Sequence, residues 1–291
     1  MISEWTSRVP RRRLTCAALA GGTIITVLAG GTTALAAHAA PAGGIISTVA
    51  GGVGGPGPAT AISLVSANVP AGACGSPEGA ADVATAPGRL YIADGSVRQV
   101  SEQTGALTTP AGTGTAGPLG LGGPAAKSAI AACGVEVDHA GNVVIADPNS
   151  RRLLLAAATT GTFYGQHMTA GHIYVVAGDG GPAPGGSGVP ATKTALNSPI
   201  DVAVDAAGNL VIADEGTAQF PGPQRGSRVR VVAASTGTFY GQAMKAGDIY
   251  TVAGSIAGKG FSGDGGPAVK AAIGEILLGV QVDAEIGRAH V

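Results

Sequence analysis

The stretch Ile-Asp-Val-Ala-Val-Asp-Ala-Ala-Gly-Asn-Leu-Val-Ile-Ala-Asp, residues 200–214, decides the fold. The β-branched residues Val202 and Val204 precede the segment Asp205–Asn209, and the apolar run Leu210–Ile212 follows it. β-branched residues favour strands, Asp can hydrogen-bond the backbone that follows it, and Gly and Asn tolerate positive φ. The stretch therefore predicts two short strands joined by a tight turn.

The same two-strand unit recurs along the chain. It appears as Val135–Asp147, in weaker form as Asp82–Asp94, and as a lone first strand at Leu278–Asp283. Equivalent aspartates are 53 residues apart from Asp94 to Asp147 but 78 apart from Asp205 to Asp283, so the spacing varies. A repeat with constant strands and variable spacing places the variation in the loops.

Two further strands complete each unit. The third strands are predicted at Val97–Val100, Arg151–Leu155 and Arg228–Val232. The fourth strands end in glycine and are predicted at Ile45–Gly51, Leu107–Gly112, His172–Gly178 and Asp248–Gly254. Self-similar four-stranded units are typical of propeller blades. A blade buries its faces against its neighbours, which explains why all its strands look apolar.

The motif Pro199–Asp214, followed by Arg-Val-Arg-Val-Val at 228–232, resembles the NHL-repeat family of β-propellers. The block Gly-Asp-Gly-Gly-Pro-Ala at 263–268 and the two Thr-Gly-Thr-Phe-Tyr-Gly insertions are similar to those of secreted actinobacterial members. The first blade is poor, and the Asn-x-Arg step before the third strand survives only at Asn149–Arg151. The resemblance implies a ring of six blades that binds a ligand or protein. Some related propellers are enzymes, including a streptogramin-cleaving lyase and metal-dependent lactonases.

Composition limits the classes of partner. The chain has 291 residues, a formal net charge of −1 and only 12% charged residues, so it presents no general polyanion-binding surface, and nucleic acid is not expected as a partner. Its 50 glycines suit many tight turns, while the 45% hydrophobic content argues against disorder.

Residues 1–39 have the pattern of an export signal. The cluster Arg11–Arg13 precedes the apolar run Leu14–Leu28, and small-x-small cleavage sites follow at Ala34–Ala36 and Ala37–Ala39. The apolar run is short and interrupted by glycine pairs, which favours cleavage over a membrane anchor. We therefore expect a secreted protein with no stable membrane insertion after cleavage. The general secretory and twin-arginine routes both remain open.

Two cysteines remain after cleavage, Cys74 and Cys133. An even count in an exported protein is compatible with a disulfide, and both residues come before or at the first strands of neighbouring units. Two unpaired buried thiols are the alternative.

The expected domain organisation is an export signal at 1–39, a partial propeller at 40–284 and a non-native tail at 285–291. The propeller is expected to contain about three full blades plus end strands. The tail resembles the translation of a sequencing-library adapter and resembles no strand of the repeat. The fourth unit stops before its turn, so an incomplete, open ring of the six-bladed type is expected.

Candidate functional residues lie on the first strands, which line the central channel of a propeller. Glu136 and Gln281 occupy the register of Ala203, and Asp201 lies nearby, so these polar groups could contact a ligand. Solvated channel side chains are the alternative interpretation. The expected ligand is an unidentified protein, carbohydrate or small molecule.

No catalytic residue, metal ligand or cofactor is predicted. Asp138, Asp205 and Asp283 share one register, where turn capping is favoured over a ring of carboxylates for a cation. Histidine ligand spacing and a Gly-x-Ser-x-Gly elbow are both missing from the sequence. The function expected is therefore an exported, non-catalytic binding module. A channel lyase or metal-dependent hydrolase, such as a lactonase, is the alternative.

Overall fold

The computed structural model describes residues 81–115, 117–182, 185–216, 226–257, 260–274 and 277–283, together with Cys74 and the pair 289–290. All belong to one unit that extends over Thr48–Val291. The expected export signal at 1–39 and the expected strand Ile45–Gly51 lie outside the described residues. Within the described ranges no helix has both the length and the apolar character needed to cross a membrane.

The first described sheet, here called blade one, contains four antiparallel strands in sequence order. They are β1 (Asp82–Ala86), β2 (Arg89–Ala93), β3 (Val97–Ser101) and β4 (Leu107–Ala111).

Blade two repeats this arrangement, with a hairpin inserted between its third and fourth strands. Its strands are β5 (Gly134–Val137), β6 (Val143–Asp147), β7 (Arg152–Ala156), the hairpin β8 (Gly161–Phe163) and β9 (Gln166–Met168), and β10 (Ile173–Ala177). In the sheet β5, β6, β7 and β10 lie side by side, all antiparallel.

Blade three has the same insertion and an added edge strand. Its strands are β11 (Val189–Pro190), β12 (Pro199–Val204), β13 (Leu210–Asp214), β14 (Arg228–Val232), the hairpin β15 (Gly237–Phe239) and β16 (Gln242–Met244), and β17 (Asp248–Ala253). The sheet order is β11-β17-β14-β13-β12.

A partial fourth unit follows blade three. It contains β18 (Phe261–Ser262) paired with β19 (Ala272–Ile273), and β20 (Gln281–Val282) paired with β21 (Ala289–His290). β21 therefore falls within the segment 285–291 expected to be a non-native tail, and both the origin of that tail and the open ring stay predictions. Short 3₁₀ helices precede the first strands, at Ala125–Lys127, Ala191–Lys193 and Ala268–Lys270.

The core lies between the sheets. One apolar cluster joins blade one to blade two, including Tyr91 and Leu154. A second joins blade two to blade three, including Leu155 and Ile212, and a third packs Val231 of blade three against the following unit. Sheets that bury both faces against neighbouring sheets define a β-propeller, so the predicted all-β fold with four-stranded blades is confirmed.

The glycine that ends each fourth strand is required by a close backbone approach. Gly112, Gly178 and Gly254 all have positive φ, and each donates its N–H to the first residue of a 3₁₀ helix. A Cβ at Gly178 would lie 2.3 Å from the carbonyl oxygen of Arg151, and one at Gly254 would lie 2.3 Å from that of Ser227. The glycine of the repeated Val-Ala-Gly sequence therefore lies where the fourth strand passes close to the start of the third strand.

Gly178→Ala should destabilise the protein by at least about 3 kcal/mol, because left-handed strain adds to steric overlap. Gly165→Ala is the matched control, since Gly165 has a φ of 77° but no heavy atom within 4 Å of its added Cβ. The control should lose only about 1–2 kcal/mol from strain. Urea denaturation measures both, and equal losses would contradict the close approach.

The inserted hairpins turn at Tyr-Gly pairs. Tyr164 and Tyr240 have φ of 48° and 50°, and each is followed by a glycine with positive φ, which is the pattern of a type I′ turn. Tyr240 donates its hydroxyl to Asp205 Oδ2 at 3.0 Å, and Tyr164 donates to the carbonyl oxygen of Gly208 at 3.2 Å. Tyr240 thus holds its hairpin to its own blade, while Tyr164 links blade two to blade three.

Cys74 and Cys133 form a disulfide, with their Cα atoms 5.3 Å apart. The bond connects residues 59 apart in sequence and ends immediately before β5. Of the two alternatives that the sequence left open, the structure therefore contains the pair.

Candidate functional site

A cleft lies where the first strands of successive blades meet, and it is called the channel cleft below. Its volume is about 480 Å³, and it is lined by Asp82, Val83, Val135, Glu136, Asp201, Val202, Gly279, Val280 and Gln281. The three residues singled out from the sequence, Glu136, Asp201 and Gln281, are therefore brought together at one cleft. Their role in ligand binding stays a prediction.

Aspartate and glycine alternate at one level of the cleft. Asp82, Gly134 and Asp201 occupy equivalent positions, because each pairs with the alanine near the end of its second strand. Gly279 precedes Gln281 by two residues, as Gly134 precedes Glu136, so it continues the series. The order around the channel is thus Asp, Gly, Asp, Gly.

Each aspartate of this series accepts a hydrogen bond from the next unit. Asp82 Oδ2 accepts the N–H of Val135 at 2.8 Å, and Asp201 Oδ2 accepts the N–H of Val280 at 2.8 Å. Gly134 also lets β5 approach β12 closely, since a Cβ at Gly134 would lie 2.7 Å from the Cα of Asp201. The alternation of aspartate and glycine therefore reflects the close packing of neighbouring first strands as well as the polarity of the cleft.

The carboxyl groups of the cleft hold protons more tightly than free carboxyl groups. Burial, followed by the charges of Asp82 and Glu136, raises the pKa of Asp201 to about 6. Burial also raises the pKa of Asp82 and of Glu136, and at Asp82 the backbone N–H groups of Val135 and Val83 partly offset the effect. None of the described residues that line the cleft is a lysine or an arginine, so the cleft favours groups that donate hydrogen bonds or carry positive charge.

Sequence reasoning missed Asp82 as a member of this site. Asp82 lies in the weakest copy of the repeat, where Pro87-Gly88 replaces the usual Ala-Gly-Asn turn. A signal was nevertheless available in the spacing to the aspartate that closes the second strand. Asp82 precedes Asp94 by 12 residues, and Asp201 precedes Asp214 by 13, so the two positions nearly coincide.

The turn aspartates do cap their own turns. Asp138 Oδ1 accepts the N–H groups of Ala140 and Asn142, and Asp205 Oδ1 accepts those of Ala207 and Asn209. This confirms turn capping for the two residues. Across the part of the chain that the structure describes, no group of three or more His, Cys, Asp or Glu side chains is arranged to hold a metal ion.

No protein-family model matches the chain, and no curated protein matches it. Among solved structures, the chain is similar to a protein of unknown function from Bacteroides thetaiotaomicron, at 16% identity and a TM-score of 0.49, over 71% of this chain and 43% of that one. It is also similar to an auxiliary nutrient binding protein from the same organism, at 15% identity and a TM-score of 0.42, over 74% of this chain and 45% of that one.

A third similarity is to a proposed gluconolactonase, at 16% identity and a TM-score of 0.30, over 50% of this chain and 41% of that one. The chain spans less than half the length of each of these three proteins. The assignment of the fold therefore depends on the sheets described above.

The raised pKa of Asp201 predicts a pH dependence of stability. Between the ordinary value of 3.8 and about 6 the folded state binds the additional proton, so stability falls as pH rises through this window. Asp201→Asn should reduce that fall by on the order of 1–2 kcal/mol, after allowance for solvent screening. Urea denaturation at pH 4 to 7 measures it. Asp179→Asn, in a loop outside the cleft, is the control, and an unchanged slope in Asp201→Asn would contradict the prediction.

Proposed function

We propose that the chain is an exported, non-catalytic β-propeller protein of the NHL-repeat type, and that it binds a small ligand in the channel cleft. The observation that carries the proposal is the convergence of Asp82, Glu136 and Asp201 on a cleft of about 480 Å³. A concave site with a few convergent polar groups is the usual form of a small-molecule site. The motif at 199–214 supports the family, and the disulfide is compatible with an oxidising compartment.

The chemistry of the cleft defines the class of ligand. Carboxylates accept hydrogen bonds and attract cations, and Gln281 adds a side chain that both donates and accepts. Val83 is 58% exposed at the cleft and offers an apolar contact. The ligand that fits best is a small amine with an apolar portion.

The test is a thermal-shift screen of small amines and sugars on the full-length chain, followed by calorimetry of the best ligand. Asp201→Asn and Glu136→Gln should each weaken binding of an amine at least tenfold, because each removes one cleft charge, whereas Asp179→Asn should bind normally. Amine binding that is unaffected by both cleft variants would contradict the proposal.

A carboxylate-dependent hydrolase is the second candidate, and one observation favours it. Asp82 and Asp201 line the same cleft, and a carboxyl group with a pKa of about 6, as at Asp201, resembles a general acid near a second carboxylate. Turnover of glycosides or lactones that is lost in Asp201→Asn, while the folded state is retained, would favour this candidate over simple binding.

A further inference from the structure

The aspartates that close the second strands have different partners in the three blades. Asp94, Asp147 and Asp214 follow or end β2, β6 and β13, and each is only 1% exposed. A buried carboxylate is costly unless hydrogen bonds or opposite charges compensate it. The three blades can therefore be compared by how each one satisfies this group.

Blade three satisfies Asp214 with two arginines of β14. Arg228 Nη2 lies 2.8 Å from Asp214 Oδ2, and Arg230 Nη1 lies 3.8 Å from the same oxygen. Arg230 is completely buried, and it donates to the carbonyl oxygens of Ala195, at 3.0 Å, and Gly186. Its guanidinium thus fills the space between Asp214 and the loop that leads into β12.

Blade one also supplies a guanidinium. Arg98 pairs with Ile92 across β2 and β3, as Arg230 pairs with Ile212 in blade three, so the two arginines are equivalent. Arg98 Nε lies 2.9 Å from Asp94 Oδ2. Both blades therefore place an arginine from this position of the third strand near the aspartate, although in blade three the closer ion pair is that of Arg228.

Blade two has leucine at the same position. Leu154 pairs with Ile145, and the nearby Arg152 donates to the carbonyl oxygens of Ser150 and Asp179 instead of to Asp147. Asp147 accepts N–H groups from Ala131, at 3.1 Å, and Ser150, at 3.0 Å. Among the described residues no basic side chain forms an ion pair with Asp147.

A cavity lies beside Asp147, and it is called the blade-two cavity below. Its volume is about 260 Å³, and its lining is Thr115, Gly117, Leu119, Ala129, Ile130, Ala131, Asp147, Asn149 and Ser150. Ser128 and Thr194 are equivalent. The carbonyl oxygen of Ser128 accepts the N–H of the residue after Gly112, and the carbonyl oxygen of Thr194 accepts the N–H of the residue after Gly178. Ala129 therefore corresponds to Ala195, whose carbonyl oxygen binds Arg230.

We propose that the blade-two cavity binds the guanidinium group of a ligand, in the place that Arg230 occupies in blade three. Thr115, Gly117 and Asn149 are exposed at its rim, so the cavity is open to solvent. A planar guanidinium matches a carboxylate together with carbonyl acceptors better than an ammonium does. Burial raises the pKa of Asp147, which agrees with a carboxylate that forms no ion pair among the described residues.

Calorimetry on the full-length chain tests the proposal with two guanidinium probes, agmatine and the peptide acetyl-Gly-Arg-Gly-amide. At least one should bind saturably, and the corresponding citrulline peptide, which is neutral, should bind at least tenfold more weakly than the arginine peptide. Tighter binding of the peptide would identify a protein arginine as the source, and tighter binding of agmatine a free small molecule. The absence of saturable binding by both probes would overturn the proposal.

Three variants locate the site. Asp147→Asn should weaken binding of the arginine peptide, which has no amine, at least tenfold, whereas Asp201→Asn, altered only in the channel cleft, should retain it. Leu154→Arg should abolish binding because its own guanidinium would fill the cavity as Arg230 does in blade three. Folding is checked by circular dichroism, and if Leu154→Arg does not fold, the Asp147→Asn and Asp201→Asn pair decides. Equal binding by Asp147→Asn and the unaltered chain would place the probe elsewhere and overturn the proposal.

Discussion

The structure depends on the burial of sheet faces between neighbouring blades, and blade two packs one face against blade one and the other against blade three. β6, β13 and β14 are buried at every residue, so their side chains have no solvent face. Apolar burial provides the main favourable free energy, and it requires the sheets to approach closely. Gly178 and Gly254 meet that requirement where a fourth strand passes the start of a third.

The first strands cannot satisfy the same constraint in full, and this exposes the polar groups of the channel cleft. β1, β5, β12 and β20 lie next to one another, where the sheets converge. Asp82 and Asp201 each accept a hydrogen bond from a backbone N–H of the next unit, and Gly134 lets β5 lie close to the backbone of Asp201. The cleft therefore combines a structural link between blades with partly buried carboxyl groups whose pKa is raised.

Much of the fold could be predicted from the sequence because its repeats carry local signals. The turn at 205–209 and the β-branched runs beside it give the first two strands, and β14 has the predicted bounds Arg228–Val232. The hairpins at 161–168 and 237–244 were seen only as insertions, since a tyrosine with positive φ is not an expected turn residue. Glu136, Asp201 and Gln281 were found through their register, whereas Asp82 was hidden in the most divergent copy.

The blade-two cavity shows what sequence reasoning could not reach. Leucine and arginine are both common in strands, so the sequence alone does not mark the difference between Leu154 and Arg230. The two residues are seen to be equivalent only when the pairing of β6 with β7 is compared with that of β13 with β14. Only then does Asp147 stand out as a buried carboxylate without the guanidinium that Asp94 and Asp214 have. In a repeat protein, the features that all copies share are those that the fold requires. A departure at one copy that leaves a buried carboxylate without an ion pair and a cavity beside it is therefore the feature to connect with binding.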